Sequence, residues 1–423
     1  MAVCGDFSIK TLGECKYDSP MTNTVFIEEG NDVLVDPTVA GCIACQPNTT
    51  PATLERAGSR DKIFFNPSKT RAAIVTCGGL CPGLNDVIRG VTMVLSYRYG
   101  VKDILGLRFG YEGLIPSYGH QPIKLDHEEV EDIHKDGGTI LGSSRGPQDT
   151  PAMVDFLVEN EIDILFTIGG DGTQRGALDI ADEIEKRNLN ISVIGIPKTI
   201  DNDVSYTERT FGFETAVAMS NSPITCAHME AKGVNRGIGL VKLMGRESGF
   251  IAAYATLASS DVNLVLVPEV PFTMESLIGY LERRFERKSH AVIVAAEGAG
   301  QELVPMNGKD KSGNKVLGDI GLHLKKEISE YFKTKGNPVN IKYIDPSYII
   351  RSAPANPSDS VFCFRLANYA VHAGMSGRTS MVVGFWNGRF VHIPISQAVS
   401  ERKRIDPTKS LWQNVLDNTG QDI

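Results

Sequence analysis

The 423-residue chain has no hydrophobic run long enough to cross a membrane and no excess of positive charge. No stretch approaches the ~18 consecutive apolar residues of a spanning helix, so we expect no membrane partner. Lys and Arg number 43 against 51 Asp and Glu, and the formal net charge of −8 argues against a surface dedicated to nucleic acid. An anionic substrate would need a local basic pocket.

The chain also lacks a dense cysteine framework. Its eight cysteines are scattered and follow no secretory leader, which favours reduced thiols in a cytoplasmic protein. Cys42 and Cys45 form a C-x-x-C pair with Cys4 and Cys15 upstream, so a zinc site is an alternative. The wide, irregular upstream spacing disfavours it.

Glycine is the residue in surplus. Hydrophobic residues at 42% and charged residues at 22% are ordinary for a globular chain, which excludes a disordered or fibrous protein. The 42 glycines amount to about one residue in ten, where about one in fourteen is usual. Many backbone positions therefore need positive φ or the close approach of another group.

Short β-branched runs alternate with helical patterns from residue 71 onward, which predicts parallel sheets. The number of strands predicts an α/β fold with two Rossmann-like lobes, mainly parallel sheets and an N-terminal extension. Ligands of such folds bind beyond the carboxyl ends of strands, so the loops there carry the functional prediction. The predicted strands are 72–76, 164–168, 192–196, 238–243, 263–267, 291–295 and 380–385.

The loop after the first strand places Gly78, Gly79 and Gly83 before a predicted helix. Free backbone N–H groups at a helix start, together with the helix dipole, suit a bound anion. The loop is neither a Walker motif, because Leu84 and Asn85 follow the last glycine, nor a dinucleotide G-x-G-x-x-G. A tight strand-to-helix turn without a ligand is the alternative.

The next two strands are also followed by polar loops. Gly169-Gly170-Asp171-Gly172-Thr173 offers amides for phosphate and one carboxylate for Mg²⁺, although Asp171 could also be a structural helix cap. The run 197–203 places Lys198 and Thr199 just before two carboxylates, Asp201 and Asp203. These groups suit a general base and a cation for a transferring phosphoryl group, and an Asx-rich turn capping a helix near Thr210 is the alternative.

Charged loops recur in the second half of the chain. Met244-Gly245-Arg246 and Glu297 follow predicted strands, and Arg236 precedes one. Arginine at such turns suits a phosphate or sugar hydroxyls, and surface ion pairs are the alternative. Two further cations, Lys342 and Arg351, lie on either side of Tyr343 and Tyr348.

With Gly-Gly-Asp-Gly-Thr, Pro-Lys-Thr-Ile-Asp-Asn-Asp and Met-Gly-Arg in this order, the sequence resembles the 6-phosphofructokinase family from 63 to about 389. It is most similar to the long-chain branch of plants, trypanosomatids and some bacteria. The resemblance implies Mg²⁺-dependent transfer of the ATP γ-phosphoryl group to the 1-hydroxyl of fructose 6-phosphate, a step of glycolysis.

The resemblance also implies residue roles. Asp201 would be the general base, with Thr199 and Asp203 beside it, Arg145 would reach the transferring group, and Asp171 would bind Mg²⁺. The residues implied to hold the nucleotide are Gly79, Tyr111, Arg145, Gly170, Asp171, Gly172, Thr173, Gly176 and Lys198. Those implied to hold the sugar phosphate are Thr199, Asp201, Arg236, Met244, Gly245, Arg246, Glu297, Lys342, Tyr348 and Arg351, with Arg236 and Lys342 crossing from a neighbouring subunit.

Two positions bear on the phosphoryl donor. Glycine at 172 leaves room for the α-phosphate of ATP, whereas pyrophosphate users of this family typically carry aspartate there. Lys198 points the other way, because pyrophosphate users have lysine at that position. A missing side chain is needed to admit the nucleotide, while a lysine can bend aside or bind a phosphate, so we predict ATP and keep pyrophosphate as the alternative.

The resemblance implies a domain division and an assembly. We expect an extension at 1–65, a nucleotide-binding lobe at 66–210 with about 352–398, a sugar-phosphate-binding lobe at 211–351 and a tail at 399–423. A cytoplasmic, allosterically regulated homotetramer is typical of the family.

Kinases of other acceptors and a catalytically silent sugar-phosphate sensor are rival interpretations of the motifs. Pro223, deep in a predicted helix, predicts a kink or an early helix end.

Overall fold

The computed structural model describes residues 6–39, 41, 51–305, 308 and 316–423, which form two compact units. Unit 1 comprises Met1–Thr199, Val204–Gly212 and Ala353–Glu401; unit 2 comprises Ile200–Asp203, Phe213–Ser352 and Arg402–Ile423. The expected extension falls in unit 1, and all but three residues of the expected tail fall in unit 2. Cys4, Cys42 and Cys45 lie outside the described residues. Within the described residues, no helix combines the length and apolar character needed to span a membrane.

The described strands are short at the N-terminus and longer in the body of the chain. They are β1 Lys10–Thr11, β2 Tyr17–Asp18, β3 Val33–Leu34, β4 Thr53–Arg56, β5 Lys62–Ile63, β6 Arg71–Thr76, β7 Asp103–Leu107, β8 Ile123–Lys124, β9 Ile164–Gly169, β10 Ser192–Pro197, β11 Gly237–Leu243, β12 Leu264–Leu266, β13 His290–Ala296, β14 Asn340–Ile344, β15 Arg378–Thr379, β16 Met381–Trp386 and β17 Arg389–Pro394.

Helices follow most of the longer strands. They are α1 Leu84–Val94, α2 Thr150–Glu159, α3 Asp171–Lys186, α4 Phe213–Lys232, α5 Phe250–Ser259, α6 Met274–Phe285, α7 Ile320–Thr334, α8 Ser347–Arg351, α9 Pro357–Met375, α10 Ile395–Ala398 and α11 Ser410–Thr419. A π-helical turn, Leu95–Tyr99, continues α1.

The sheet of unit 1 has the order β3-β4-β17-β16-β10-β9-β6-β7-β8. Its five central strands, β16, β10, β9, β6 and β7, pair in parallel, and the outer pairs are antiparallel. The strands β9 and β10 are buried on both faces, as expected of parallel strands covered by helices. The N-terminal strands β3 and β4 extend this sheet through β17.

Unit 2 has a fully parallel sheet with the order β12-β13-β11-β14. The cores of the two units are separate clusters of aliphatic and aromatic side chains. The mainly parallel sheets confirm the predicted α/β class.

Local groups set the start of α2, and packing sets the extent of α4. The first turn of α2 is capped by Asp149, whose carboxylate accepts from Ala152 N at 3.0 Å, and Thr150 is the first helical residue. Of the two outcomes predicted for Pro223, the early helix end is wrong, because α4 runs on to Lys232. It also begins at Phe213, beyond the expected start near Thr210. Packing of a long helix against a sheet overrides the local cost of one proline.

Candidate active site

Three of the predicted loops lie side by side at one edge of the sheet in unit 1. Strands β6, β9 and β10 are adjacent and parallel, with Thr76 opposite Ile168 and Gly169 opposite Pro197. Their carboxyl ends therefore meet at the same edge, and the loops that follow them are neighbours. This adjacency is what the prediction of a phosphate site required.

The loop after β6 is held from two sides. Gly78 N donates to Ser144 O at 3.0 Å, and Ser143 Oγ donates to Gly78 O at 2.6 Å. The buried Lys198 donates from Nζ to Gly79 O at 2.8 Å. A Cβ added at Gly79 would lie 3.2 Å from Arg145 Nη2. Gly79, Arg145 and Lys198 are thus brought together, and Lys198 holds the loop after β6 by its hydrogen bond to the Gly79 carbonyl oxygen.

Helix α3 begins at Asp171, directly after β9 and Gly170. A side chain at Gly169 would collide with Thr173, and one at Gly170 would lie 3.3 Å from Lys198 O. Gln174 Nε2 donates to Gly169 O at 3.0 Å, which ties the turn to the end of its strand. Glycine is required here because backbone and side chains crowd the turn on both sides.

Position 172 differs from its neighbours. A Cβ added at Gly172 would meet no atom within 4 Å, so nothing in the fold of the chain requires glycine there. The reason for glycine at 172 must therefore be looked for in what binds beside it.

Tyr111 lies behind the same helix start. Its hydroxyl donates to Thr173 O at 2.6 Å, and a Cβ at Gly176 would lie 2.7 Å from its ring. Burial raises the pKa of Tyr111 well above the ordinary value, so the phenol stays protonated and remains a donor. Tyr111 supports the first turn of α3, and this contact explains the glycine at 176.

Asp171 fits a magnesium ion that is held mainly by phosphates. Its carboxylate is 27% exposed and lies 3.9 Å from Arg175 Nη2. No set of three or more His, Cys, Asp or Glu side chains is arranged for a metal in the parts of the chain that the structure describes. Mg²⁺ commonly binds one or two carboxylates and completes its shell with substrate phosphates and water, so a single carboxylate suffices.

Unit 2 gathers a second set of predicted residues at the carboxyl ends of β11, β13 and β14. Leu243 lies opposite Ala296 and Val241 opposite Ile344, so Met244, Gly245, Arg246 and Glu297 begin neighbouring loops. Gly298 N donates to Gly245 O at 3.0 Å, and a Cβ at Gly298 would collide with Arg246 O. The two loops pack backbone to backbone.

Asp201 belongs to unit 2, whereas Lys198 and Thr199 of the same motif belong to unit 1. Arg246 N donates to Asp201 Oδ2 at 3.3 Å. Burial, followed by the negative charges of Asp203 and Glu297, raises the pKa of Asp201 to about 7. A carboxylate with that pKa can accept a proton near neutral pH, as a general base must.

Counter-ions border this cluster. Arg351 Nη2 lies 3.6 Å from Glu297 Oε1, and Arg402 Nη1 lies 3.6 Å from Asp203 Oδ2. Arg402 was not predicted from the sequence, and it belongs to the basic run Arg402-Lys403-Arg404. The basic run could have suggested an anion-binding or ion-pairing role for Arg402. Only the fold, however, places Arg402 next to Asp203.

The remaining predicted residues lie elsewhere in the same unit. Arg236 stands at the opposite end of β11 from Met244, roughly 26 Å away at about 3.3 Å per residue. Its guanidinium stacks 4.7 Å from the ring of Phe285. Lys342 lies within β14 and pairs with Glu230 at 3.6 Å, and Tyr348 is 82% exposed on α8. One chain therefore does not bring Arg236 to the Arg246 loop.

Comparisons with known proteins agree with these motifs. The phosphofructokinase family profile matches residues 71–374. The chain is 49% identical to an ATP-dependent 6-phosphofructokinase of Borreliella burgdorferi, covering 99% of this chain and 97% of the relative. It is 45% identical to the Trypanosoma cruzi enzyme of that name, over 98% and 87%, and 49% identical to ATP-dependent 6-phosphofructokinase 7 of Arabidopsis thaliana, over 86% and 76%.

Solved structures support the fold. A pyrophosphate-dependent phosphofructokinase of Marinobacter aquaeolei superposes with a TM-score of 0.68 at 19% identity, over 83% of this chain and 91% of that one. As the resemblance predicted, plant and trypanosomatid enzymes are among the relatives. The chain belongs to the phosphofructokinase family.

Proposed function

We propose that the protein is an ATP-dependent 6-phosphofructokinase that phosphorylates the 1-hydroxyl of fructose 6-phosphate. The observation that carries the proposal is Asp201, a buried carboxylate with a raised pKa at the ends of the unit 2 strands. The names of relatives that match nearly the whole chain support the same reaction. A sensor without catalysis has no use for such a base.

In the proposed reaction, unit 1 holds the nucleotide and unit 2 the sugar phosphate. Backbone amides of the Gly78–Gly79 and Gly170–Thr173 turns bind phosphate oxygens, and Arg145 offsets their charge. Asp171 would hold Mg²⁺, which supplies charge neutralisation on the phosphates when bound. Asp201 accepts the proton of the 1-hydroxyl as that oxygen attacks the γ-phosphorus, while the bond from the γ-phosphorus to the β,γ-bridging oxygen breaks and ADP leaves. Positioning and charge neutralisation supply most of the catalysis in such transfers.

The sugar contacts follow from the same unit. Met244, Gly245, Arg246 and Glu297 would hold the fructose ring, and Tyr348 and Arg351 its 6-phosphate, completed by Arg236 and Lys342 of a neighbouring subunit. Thr199 and Asp203 would act beside Asp201, and Gly176 and Lys198 would fix the nucleotide loops. A cytoplasmic homotetramer with allosteric regulation remains our prediction for the assembly.

The test is Asp201→Ser compared with Asp417→Ser, an exposed carboxylate on α11 of the same unit. We expect Asp201→Ser to lose turnover with ATP and fructose 6-phosphate by several orders of magnitude while still binding fructose 6-phosphate. Asp417→Ser should match the parent protein. Unchanged turnover in Asp201→Ser would remove the proposed mechanism.

A further inference from the structure

A second concave site lies in unit 1, lined by none of the residues assigned above. It is a cavity of about 610 Å³, within the range of small-molecule pockets. Its wall combines the N-terminal segment around Arg56, the π-helical turn with Arg98, helix α9, and the β16–β17 turn with Arg389. Every lining residue belongs to unit 1.

The charge of this cavity is of one sign. Arg56, Arg98, Arg365 and Arg389 line it, and no Asp or Glu is among the lining residues. None of the four arginines makes an ion pair with a residue that the structure describes. With no carboxylate in the lining, these guanidinium groups are placed to pair with a bound anion.

A neighbouring cavity of about 510 Å³ provides a contrast within the same unit. It is lined by Arg56, Arg60 and Arg378, but also by four carboxylates, those of Glu28, Glu29, Asp32 and Glu55. Glu55 lies 3.3 Å from Arg60 and 3.0 Å from Arg378. Arg60 and Arg378 are thus paired with Glu55, whereas Arg56, which lines both cavities, has no ion pair with a described residue.

Aromatic side chains line part of the larger cavity. The rings of Tyr369 and Phe390 stack with centroids 4.6 Å apart, and the Arg365 guanidinium lies 4.6 Å from the Phe390 centroid. His372 also lines the cavity and bonds through Nδ1 to the Tyr99 hydroxyl at 2.7 Å. Burial, followed by the charge of Arg98, lowers the pKa of His372 to about 4, so this ring adds no charge at neutral pH.

We propose that this cavity binds a small polyphosphate anion, either free or carried by a nucleoside. Guanidinium groups bind phosphate oxygens with paired hydrogen bonds, and four of them match two or more phosphate groups. The Phe390 ring is buried and contacts both Tyr369 and the Arg365 guanidinium, and this stacking holds Arg365 at the cavity wall. The proposal concerns binding, and it stands or falls separately from the reaction proposed above.

Inorganic tripolyphosphate is the first probe, titrated calorimetrically at low ionic strength without Mg²⁺. The variant is Arg98→Gln with Arg365→Gln, both exposed side chains, and the matched control is Arg287→Gln, an exposed arginine of unit 2. We expect the parent protein and the control to bind alike, and the double variant to lose one site per chain or to bind there at least tenfold more weakly. Added salt should weaken that site because the contacts are ionic.

Unchanged affinity and stoichiometry in the folded double variant, checked by circular dichroism, would overturn the proposal. The proposal would also be overturned if the double variant bound tripolyphosphate like the parent protein but had a different sedimentation coefficient. The cavity would then be an interface between copies of the chain. If the double variant fails to fold, each single variant must show a partial loss, and Arg98→Glu a larger one.

The carrier of the phosphates is identified by a second titration with ADP and with inorganic pyrophosphate. Tighter binding of ADP, lost in the double variant, identifies a nucleoside phosphate, and equal binding identifies free polyphosphate. Both results support the site. If neither ligand distinguishes the double variant from Arg287→Gln, the polyphosphate assignment is wrong.

Discussion

At the scale of single residues, the proposed reaction depends most on Asp201, because the fold buries its carboxyl group among other charged groups. Its neighbours Asp203 and Glu297 make ionisation harder, while Arg246 N donates a hydrogen bond to the ionised form. Burial is the largest contribution to its raised pKa. The result is a carboxyl group whose pKa of about 7 suits the general base that we propose.

This predicts a pH profile. Because the base works in its ionised form and its pKa is about 7, kcat/KM for fructose 6-phosphate should rise through pH 6 to 8 and fall toward tenfold per unit below the midpoint. Asp203→Asn removes one of the charges that raise this pKa, so its profile should shift to lower pH whatever its maximal rate. Initial rates over this range provide the measurement, and a flat profile in the parent protein would contradict the assignment.

Gly172 carries the second residue-scale prediction. A Cβ at 172 meets no protein atom within 4 Å, so Gly172→Asp should fold with an unchanged melting temperature. Its bulk and charge should nevertheless exclude the α-phosphate, and kcat/KM for ATP should fall at least a hundredfold. Gly172→Ala, which adds bulk without charge, should lose less. A Gly172→Asp protein that uses ATP normally would show that glycine at 172 does not select the donor.

At the scale of secondary-structure elements, the sequence predicted the strands and loops of the sites but not all of their contacts. The strands β6, β9, β10, β11 and β13 lie where hydrophobic runs placed them, and the Gly-rich loops follow them. Local patterns cannot show which distant segment reaches a loop, so the approach of Arg402 to Asp203 was missed. The separation of Arg236 from Arg246 was predicted, because Arg236 precedes the predicted strand 238–243 and Arg246 follows it.

Helix α4 provides a prediction about stability. Pro223 lies inside a 20-residue helix, where it removes a backbone hydrogen bond and crowds the preceding turn, at a cost of up to about 3 kcal/mol. Pro223→Ala should therefore raise the free energy of unfolding by about 1–3 kcal/mol. Asn221→Ala, an exposed position of the same helix, should change it by less than about 1 kcal/mol. Urea unfolding measures both, and a destabilised Pro223→Ala would show that the proline is accommodated without cost.

At the scale of the whole molecule, the separation of Arg236 from Arg246 along β11 matters most. If Arg236 binds the 6-phosphate, it must do so in a site completed by another copy of the chain. An oligomer is then needed for a complete site, which agrees with the tetramer that we predict.

Mixed oligomers test this sharing of sites. Arg236→Gln and Asp201→Asn should each be nearly inactive alone, because each removes one part of every site. Dissociated and reassembled together, they should regain activity, since some sites combine an intact Asp201 with an intact Arg236 from the neighbour. Activity of the mixture no greater than the sum of the two separate proteins would mean that Arg236 does not complete a neighbour's site.

The central claim is that this chain transfers phosphate from ATP to fructose 6-phosphate. The most direct measurement compares initial rates of fructose 1,6-bisphosphate formation with Mg²⁺ and either ATP or pyrophosphate as the donor. We predict rapid formation with ATP and little or none with pyrophosphate. Activity with pyrophosphate alone would contradict both the donor assignment and the role given to Gly172.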